Sequence, residues 1–169
     1  LAQLQQCKYT LAVNSGMASL DVIMRFVRPG EPVLAGDDLY GGSNRLLDLL
    51  KRQMDLKIDN VDTTDTSAIE RTLEERSEDH RAGRGSPVSL VLLESPTPPL
   101  IKICDFPQSV RLVRHSARDA ILVVVSALAL GTLFYLTIPK LAFALAVALG
   151  AVSDTHRRAH APAAARGWR

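Results

Sequence analysis

Cysteine is scarce in this chain of 169 residues. Its two cysteines, Cys7 and Cys104, make no C-x-x-C pair and no metal-ligand spacing. That excludes a disulfide scaffold and leaves reduced thiols in a reducing, cytoplasmic compartment as the expectation. An excess of charge of one sign is also missing: the formal net charge is +2, which gives no electrostatic reason for nucleic acid as a partner. The first residues, Leu1 to Gln6, carry neither a basic stretch nor a long apolar core, so no signal peptide is expected; a chain that starts in mid-pattern is expected to be a piece of a longer one. Internal repeats are absent, and the only biased tract is the Ala-rich tail. With 47% apolar and 22% charged residues, the chain has a globular composition that excludes wholesale disorder. Its length suits one domain, or part of a larger one.

Two kinds of sequence meet near residue 126. Residues 1–119 are mixed and charged, whereas no charged residue occurs from Ala120 to Pro139. Lys140 interrupts, Leu141–Val152 is apolar again, and Ser153–Arg169 is basic. The boundaries expected are therefore 1–125 for a folded domain and 126–169 for a divergent tail.

Within the first part, short apolar runs alternate with amphipathic stretches, the pattern of strands and helices in a doubly wound α/β layer. Strands are expected at Tyr9–Val13, Pro32–Ala35, Leu56–Val61, Val88–Leu93 and Ala120–Val125. Gly16–Val27 reads as a helix with Met17, Leu20, Met24 and Val27 on one face, stopped by Arg28-Pro29-Gly30. Ser43–Met54 reads as a second, with Leu46, Leu47, Leu49 and Leu50 as its buried stripe. Ser67-Ala68-Ile69-Glu70 has the form of a capping box opening a third, charged helix to about Asp79. Phe106–His115 reads as a fourth.

Three constellations could carry chemistry. Asn14-Ser15-Gly16-Met17-Ala18 is a small-residue turn from a strand into a helix, where free backbone amides and the helix dipole favour an anion such as phosphate. The same residues also suit a plain helix cap. In Gly36-Asp37-Asp38-Leu39-Tyr40-Gly41-Gly42-Ser43-Asn44-Arg45, a tyrosine between acidic and glycine-rich segments could stack on a flat heteroaromatic ring, or pack on its neighbours in a surface turn. Leu92-Leu93-Glu94-Ser95-Pro96-Thr97-Pro98-Pro99-Leu100 places a rigid polar loop beyond the end of a strand, where ligands bind in open α/β sheets; it also reads as a Pro-rich connection.

Taken together and in this order, SGM-x-S, GDDLYGGSNR and LLESPTPP-x-IK-x-CD resemble the Cys/Met-metabolism family of pyridoxal-phosphate (PLP) enzymes over roughly three quarters of the chain. That family includes cystathionine beta-lyase, gamma-lyase and gamma-synthase, and the wording is most similar to its beta-lyases. The resemblance implies part of an aminotransferase-like large domain that binds PLP. It implies a carbon–sulfur lyase of transsulfuration and methionine biosynthesis, cleaving cystathionine to homocysteine, pyruvate and ammonia, in a homodimer or homotetramer. By position, Ser15, Gly16 and Met17 would hold the cofactor phosphate. Tyr40 would stack on the ring and assist proton movement, as the catalytic residue among those present. Glu94 would sit at the cofactor end of its strand in an unspecified role. A gamma-lyase or gamma-synthase piece is the alternative.

Several family positions are altered. Pro98 stands where the family has an asparagine, and Ser126 follows Val123-Val124-Val125 where the family has the aspartate that pairs with the pyridinium nitrogen. The Schiff-base lysine has no match: Lys140 follows a proline in apolar sequence, soon after Ser126. Catalytic incompetence of this chain is therefore expected. The run from Ala120 to Pro139 has the length of a membrane span, flanked by Arg111, Arg114, Arg118, Arg157 and Arg158, so a membrane-associated truncated product is a further alternative to a frameshift or intron artefact. His156 and His160, with Asp154, have a metal-like spacing but read as a solvated basic tail, so no metal is expected. An incomplete sheet with an open edge predicts poor solubility.

Overall fold

In the computed structural model the described residues are 9–97, 100–126, 133–138 and 141–147, with side chains described for 9, 11–97 and 100–125. Cys7, Pro98, Lys140, Asp154, His156 and His160 lie outside them, as does the side chain of Ser126.

Seven strands among the described residues form one sheet: β1 (Tyr9–Val13), β2 (Pro32–Gly36), β3 (Lys57–Val61), β4 (Leu90–Glu94), β5 (Ile121–Ser126), β6 (Leu133–Ile138) and β7 (Leu141–Val147), in the spatial order β1-β7-β6-β5-β4-β2-β3. The pairs β2–β3, β2–β4, β4–β5 and β1–β7 are parallel, while β6 runs antiparallel to both β5 and β7. Following the pairings across the sheet, every strand except β6 points the same way. The five strands expected from the sequence are present, within two residues at each end. Two more, β6 and β7, come from the apolar stretch after residue 126. Largely apolar runs of six or seven residues suit strands in the middle of a sheet as well as they suit other buried segments. No helix among the described residues is long and apolar enough to cross a membrane.

Four helices cover the two faces. α1 (Gly16–Met24) and α2 (Gly41–Met54) pack on one, through Leu20, Ile23, Met24, Leu47 and Leu50, against Val33, Ala35, Leu90, Leu92, Val123 and Val125. α3 (Thr66–Arg81) and α4 (Phe106–Ser116) take the other, where Ile69, Leu73 and Val113 meet Leu34, Val91, Leu93 and Leu122. Adjacent residues of each strand fall in opposite clusters because side chains alternate across a pleated strand. The result is a three-layer α/β/α arrangement.

Local chemistry explains where the helix ends differ from the sequence pattern. α1 stops at Met24 because the next amides fall back to three-residue bonds, Phe26 N–H to Ile23 and Val27 N–H to Met24, both at 3.1 Å. Val27 stays buried through this tighter turn. α3 is capped not by Ser67 but by Asp65, whose carboxylate accepts from the Ser67 amide at 2.9 Å. That corrects the expected capping box by two residues. Arg76 of α3 then reaches Asp59 of β3 with two hydrogen bonds, 2.6 Å from Nε and 2.5 Å from Nη2, tying the helix to the sheet edge.

The leucine stripe of α2 is narrower than its spacing suggested. Leu47 is 2% exposed and Leu50 is buried, whereas Leu49 is 41% exposed. Leu47→Ala should therefore cost about 3 kcal/mol by urea unfolding and Leu49→Ala under about 1 kcal/mol. Equal losses would contradict this placement of the helix.

Candidate functional site

Because β1, β2, β4 and β5 run the same way, the loops that follow them leave from one edge of the sheet. Ser15, Tyr40, Glu94 and Ser126 all stand at that edge, at the ends of four different strands. β2 and β4 are hydrogen-bonded neighbours, yet the helix after β2 lies on one face and the helix after β4 on the other. A parallel sheet opens a crevice where successive connections part in this manner, and ligands bind there.

At the mouth of the crevice, Ser15 caps α1: its hydroxyl accepts from the Ala18 amide at 3.1 Å. Gly16 and Met17 are the first residues of the helix, whose opening amides have no acceptor within it and carry the positive end of its dipole. Tyr40 caps α2 with its backbone, and the residue is 52% exposed. Gly42 joins the two helix starts. A Cβ there would lie 2.5 Å from Tyr40 Cε1 and 2.8 Å from the Met17 sulfur, so the tyrosine ring and the methionine converge over a position that only glycine fits without a shift. Ser15, Gly16, Met17 and Tyr40, assigned separately along the sequence, thus belong to one place.

Polar residues that the sequence reading left unassigned hold this place together. The Glu94 carboxylate, buried at the end of β4, accepts from the Tyr40 amide at 3.1 Å. The Thr97 hydroxyl donates to Asp38 at 2.6 Å and accepts from the Lys102 amide at 3.1 Å. The Lys102 ammonium bridges Asp37 at 3.1 Å and Asp62 at 3.3 Å. Below them, the Cys104 thiol sits against Thr63 at 3.0 Å and donates to the Glu94 carbonyl, while the Ser95 hydroxyl accepts from the Cys104 amide. Four of the buried polar residues, Thr63, Glu94, Ser95 and Thr97, gather at this one edge. Only the order of types in the Asp-Asp and Pro-Thr strings signalled the network; the pairing across about 60 positions needs the fold.

The electrostatics separate the roles. Burial pushes the Glu94 carboxyl above the usual carboxylate range, against the pull of the Tyr40 amide and helped by the charge of Asp38. Hydrogen bonding to Asp37 raises the Lys102 amine above the ordinary lysine range, with Asp62 adding to it. An amine must lose its proton to attack a carbonyl, and the two carboxylates favour the protonated form of Lys102. Burial also raises the Cys104 thiol, which leaves it protonated and inert.

Comparison with known proteins identifies the family. The family model described as Cys/Met metabolism PLP-dependent enzyme matches residues 1–138. The chain belongs to that family. It is 40% identical over 124 residues to the cystathionine beta-lyase of Neurospora crassa, covering 73% of this chain and 25% of that protein. It is 43% identical over 124 residues to the cystathionine beta-lyase of Schizosaccharomyces pombe, covering 73% of this chain and 29% of that one. The crystal structure of metB from Corynebacterium glutamicum superposes with a TM-score of 0.60 at 30% identity, covering 73% of this chain and 29% of that chain. The chain thus spans between a quarter and a third of the length of these relatives.

Pyridoxal phosphate is the cofactor of the family, and the described residues fit two of its parts. The opening amides of α1 suit the phosphate, and the ring of the half-exposed Tyr40, beside the space kept by Gly42, suits the face of the pyridine.

Two outcomes follow. Gly42→Ala meets the movable ends of Tyr40 and Met17 rather than backbone, so its melting temperature should stay within a few degrees of the wild type while affinity for pyridoxal phosphate falls about tenfold. For Glu94 the folded-state pKa is raised, so its stabilising contribution is complete below the unfolded carboxyl pKa and is lost as pH rises through the folded value. Glu94→Gln keeps the acceptor oxygen without the charge. It should melt higher than the wild type at pH 7, and the gain should shrink as pH falls towards the unfolded carboxylate range in thermal scans; a gain that grows on acidification would contradict the sign.

Proposed function

We propose that the chain is the cofactor-cradling part of a PLP-dependent carbon–sulfur lyase acting on cystathionine, and that it is not catalytically competent by itself. The observation that carries the reading is the meeting of the α1 N-terminus, Met17 and the Tyr40 ring over Gly42, at the crevice between β2 and β4. Likeness to two proteins named cystathionine beta-lyase favours beta-elimination, in which cystathionine and water give homocysteine, pyruvate and ammonia.

In that reading the amides of Gly16 and Met17 hold the cofactor phosphate, with Ser15 keeping the helix start in shape. The Tyr40 ring covers one face of the pyridine and keeps water from it. Its hydroxyl, on a half-exposed residue, would hold or move a proton beside the substrate. Bound there, pyridoxal phosphate would supply an electron sink for negative charge developing beside the substrate amine. Asp37, Asp38, Thr97 and Lys102 keep the loops after β2 and β4 in register across the crevice.

Two features support incompetence. Lys102 is held as an ammonium between two carboxylates, and Ser126 is a poorer partner for a protonated pyridine than a carboxylate is. The expected outcome of a pyridoxal-phosphate titration is a saturable spectral change that Tyr40→Ala weakens about tenfold. After borohydride treatment, peptide mass spectrometry should find no cofactor bonded at Lys102. A stoichiometric adduct on that lysine, with homocysteine released from cystathionine, would overturn the claim of incompetence.

A further inference from the structure

Among the described residues Glu94 is the one buried carboxylate, at 5% exposure, and its partner is a backbone amide on another strand's loop rather than a cation. The Tyr40 carbonyl accepts from the Asn44 amide at 3.0 Å within α2, so its N–H bond to Glu94 is the one of the two that reaches across the crevice. The Tyr40 side chain makes no capping bond to α2, and the residue is half exposed, so packing against Met17 and Gly42 encloses it only in part. The residue stands at φ −51° and ψ 135°, just before the helix, where a small rotation of the backbone would swing the ring away from Met17 and Gly42. Glu94 is itself held firmly. It closes a strand paired on both sides, its carbonyl accepts from Cys104, and the next amide, of Ser95, bonds the Val125 carbonyl at 3.0 Å.

We infer that Glu94 is a positioning residue: by accepting the Tyr40 N–H across the crevice, its carboxylate sets where the Tyr40 ring meets the cofactor. The inference rests on the reading of Tyr40 as the residue that covers pyridoxal phosphate. Burial of an acid at this point costs the fold stability at neutral pH, which a purely structural bond to one amide would not require. Gln supplies the same oxygen without that cost, and Ala supplies none.

The test uses the whole chain labelled with nitrogen-15, in the wild type and in Glu94→Gln, Glu94→Ala, Tyr40→Ala and Glu94→Ala/Tyr40→Ala. In the wild type the Tyr40 amide should follow one pH titration with its midpoint above the ordinary carboxylate range, and Glu94→Gln should abolish that titration. Hydrogen exchange at Tyr40 should rise at least about tenfold in Glu94→Ala and be rescued in Glu94→Gln, with Leu34 and Leu92 amides unchanged as internal controls of folding. Pyridoxal phosphate affinity should fall about tenfold in Glu94→Ala and in Tyr40→Ala, and no further in the double variant, because the two residues act as one unit. Unchanged Tyr40 exchange in Glu94→Ala, or losses of affinity that simply add, would overturn the inference. Absence of pyridoxal-phosphate binding by the wild type, with the exchange results intact, would overturn the cofactor reading instead and still support the hold of Glu94 on Tyr40.

Discussion

Parallel strands impose one constraint from which the rest of the molecule follows. A chain that pairs strands in the same direction must carry each connection back across a face, so the segment after every such strand begins at the same edge. Here that edge collects the ends of β1, β2, β4 and β5, and with them Ser15, Tyr40, Glu94 and Ser126. None of these residues is near another in sequence. Helices entering from that edge point their N-termini at it, so the positive ends of α1 and α2 are delivered without further design.

The sheet order adds the second element. β2 and β4 lie side by side although β3 separates them in sequence, and the helices that follow them part to opposite faces. A crevice results, and it must be held open at a defined width to be useful. Hydrogen bonds from Tyr40 to Glu94 and from Thr97 to Asp38, with Lys102 between Asp37 and Asp62, do this across the loops after β2, β3 and β4. The apolar clusters on each face supply the stability, while the polar network supplies the shape. Its acids cost desolvation, offset in part by the lysine and the amide they engage.

Much of this was legible in the residues. Alternating apolar runs gave five strands and four helices because burial in a three-layer sandwich imposes periods of two and 3.6 directly on side chains. Ser15 was readable because helix capping needs a particular residue type. Other features depend on long-range pairing and leave little local trace. Leu49 carries the same apolar signal as Leu47 but faces solvent. The apolar stretch after residue 126 has no periodicity to separate a strand from another buried segment, and β6 and β7 declare themselves only by pairing with β5 and β1. Glu94 reads as a strand end in sequence; its acceptor role toward Tyr40 lies 54 positions away. Gly42 reads as turn punctuation, and its spatial reason is the side chain of Met17 on another helix.

Membership of the Cys/Met metabolism PLP-dependent family and the geometry of the crevice both support the proposal that the amides opening α1 receive the phosphate of pyridoxal phosphate, with Tyr40 over the ring. The most direct measurement is a proton–nitrogen correlation spectrum of the whole chain titrated with pyridoxal phosphate, with pyridoxal lacking the phosphate as the comparison. Large, saturable shifts at Gly16, Met17, Tyr40 and Gly42, with those at Gly16 and Met17 lost when the phosphate is absent, are the result this account expects. Shifts centred elsewhere, or identical for the two ligands at Gly16 and Met17, would contradict it.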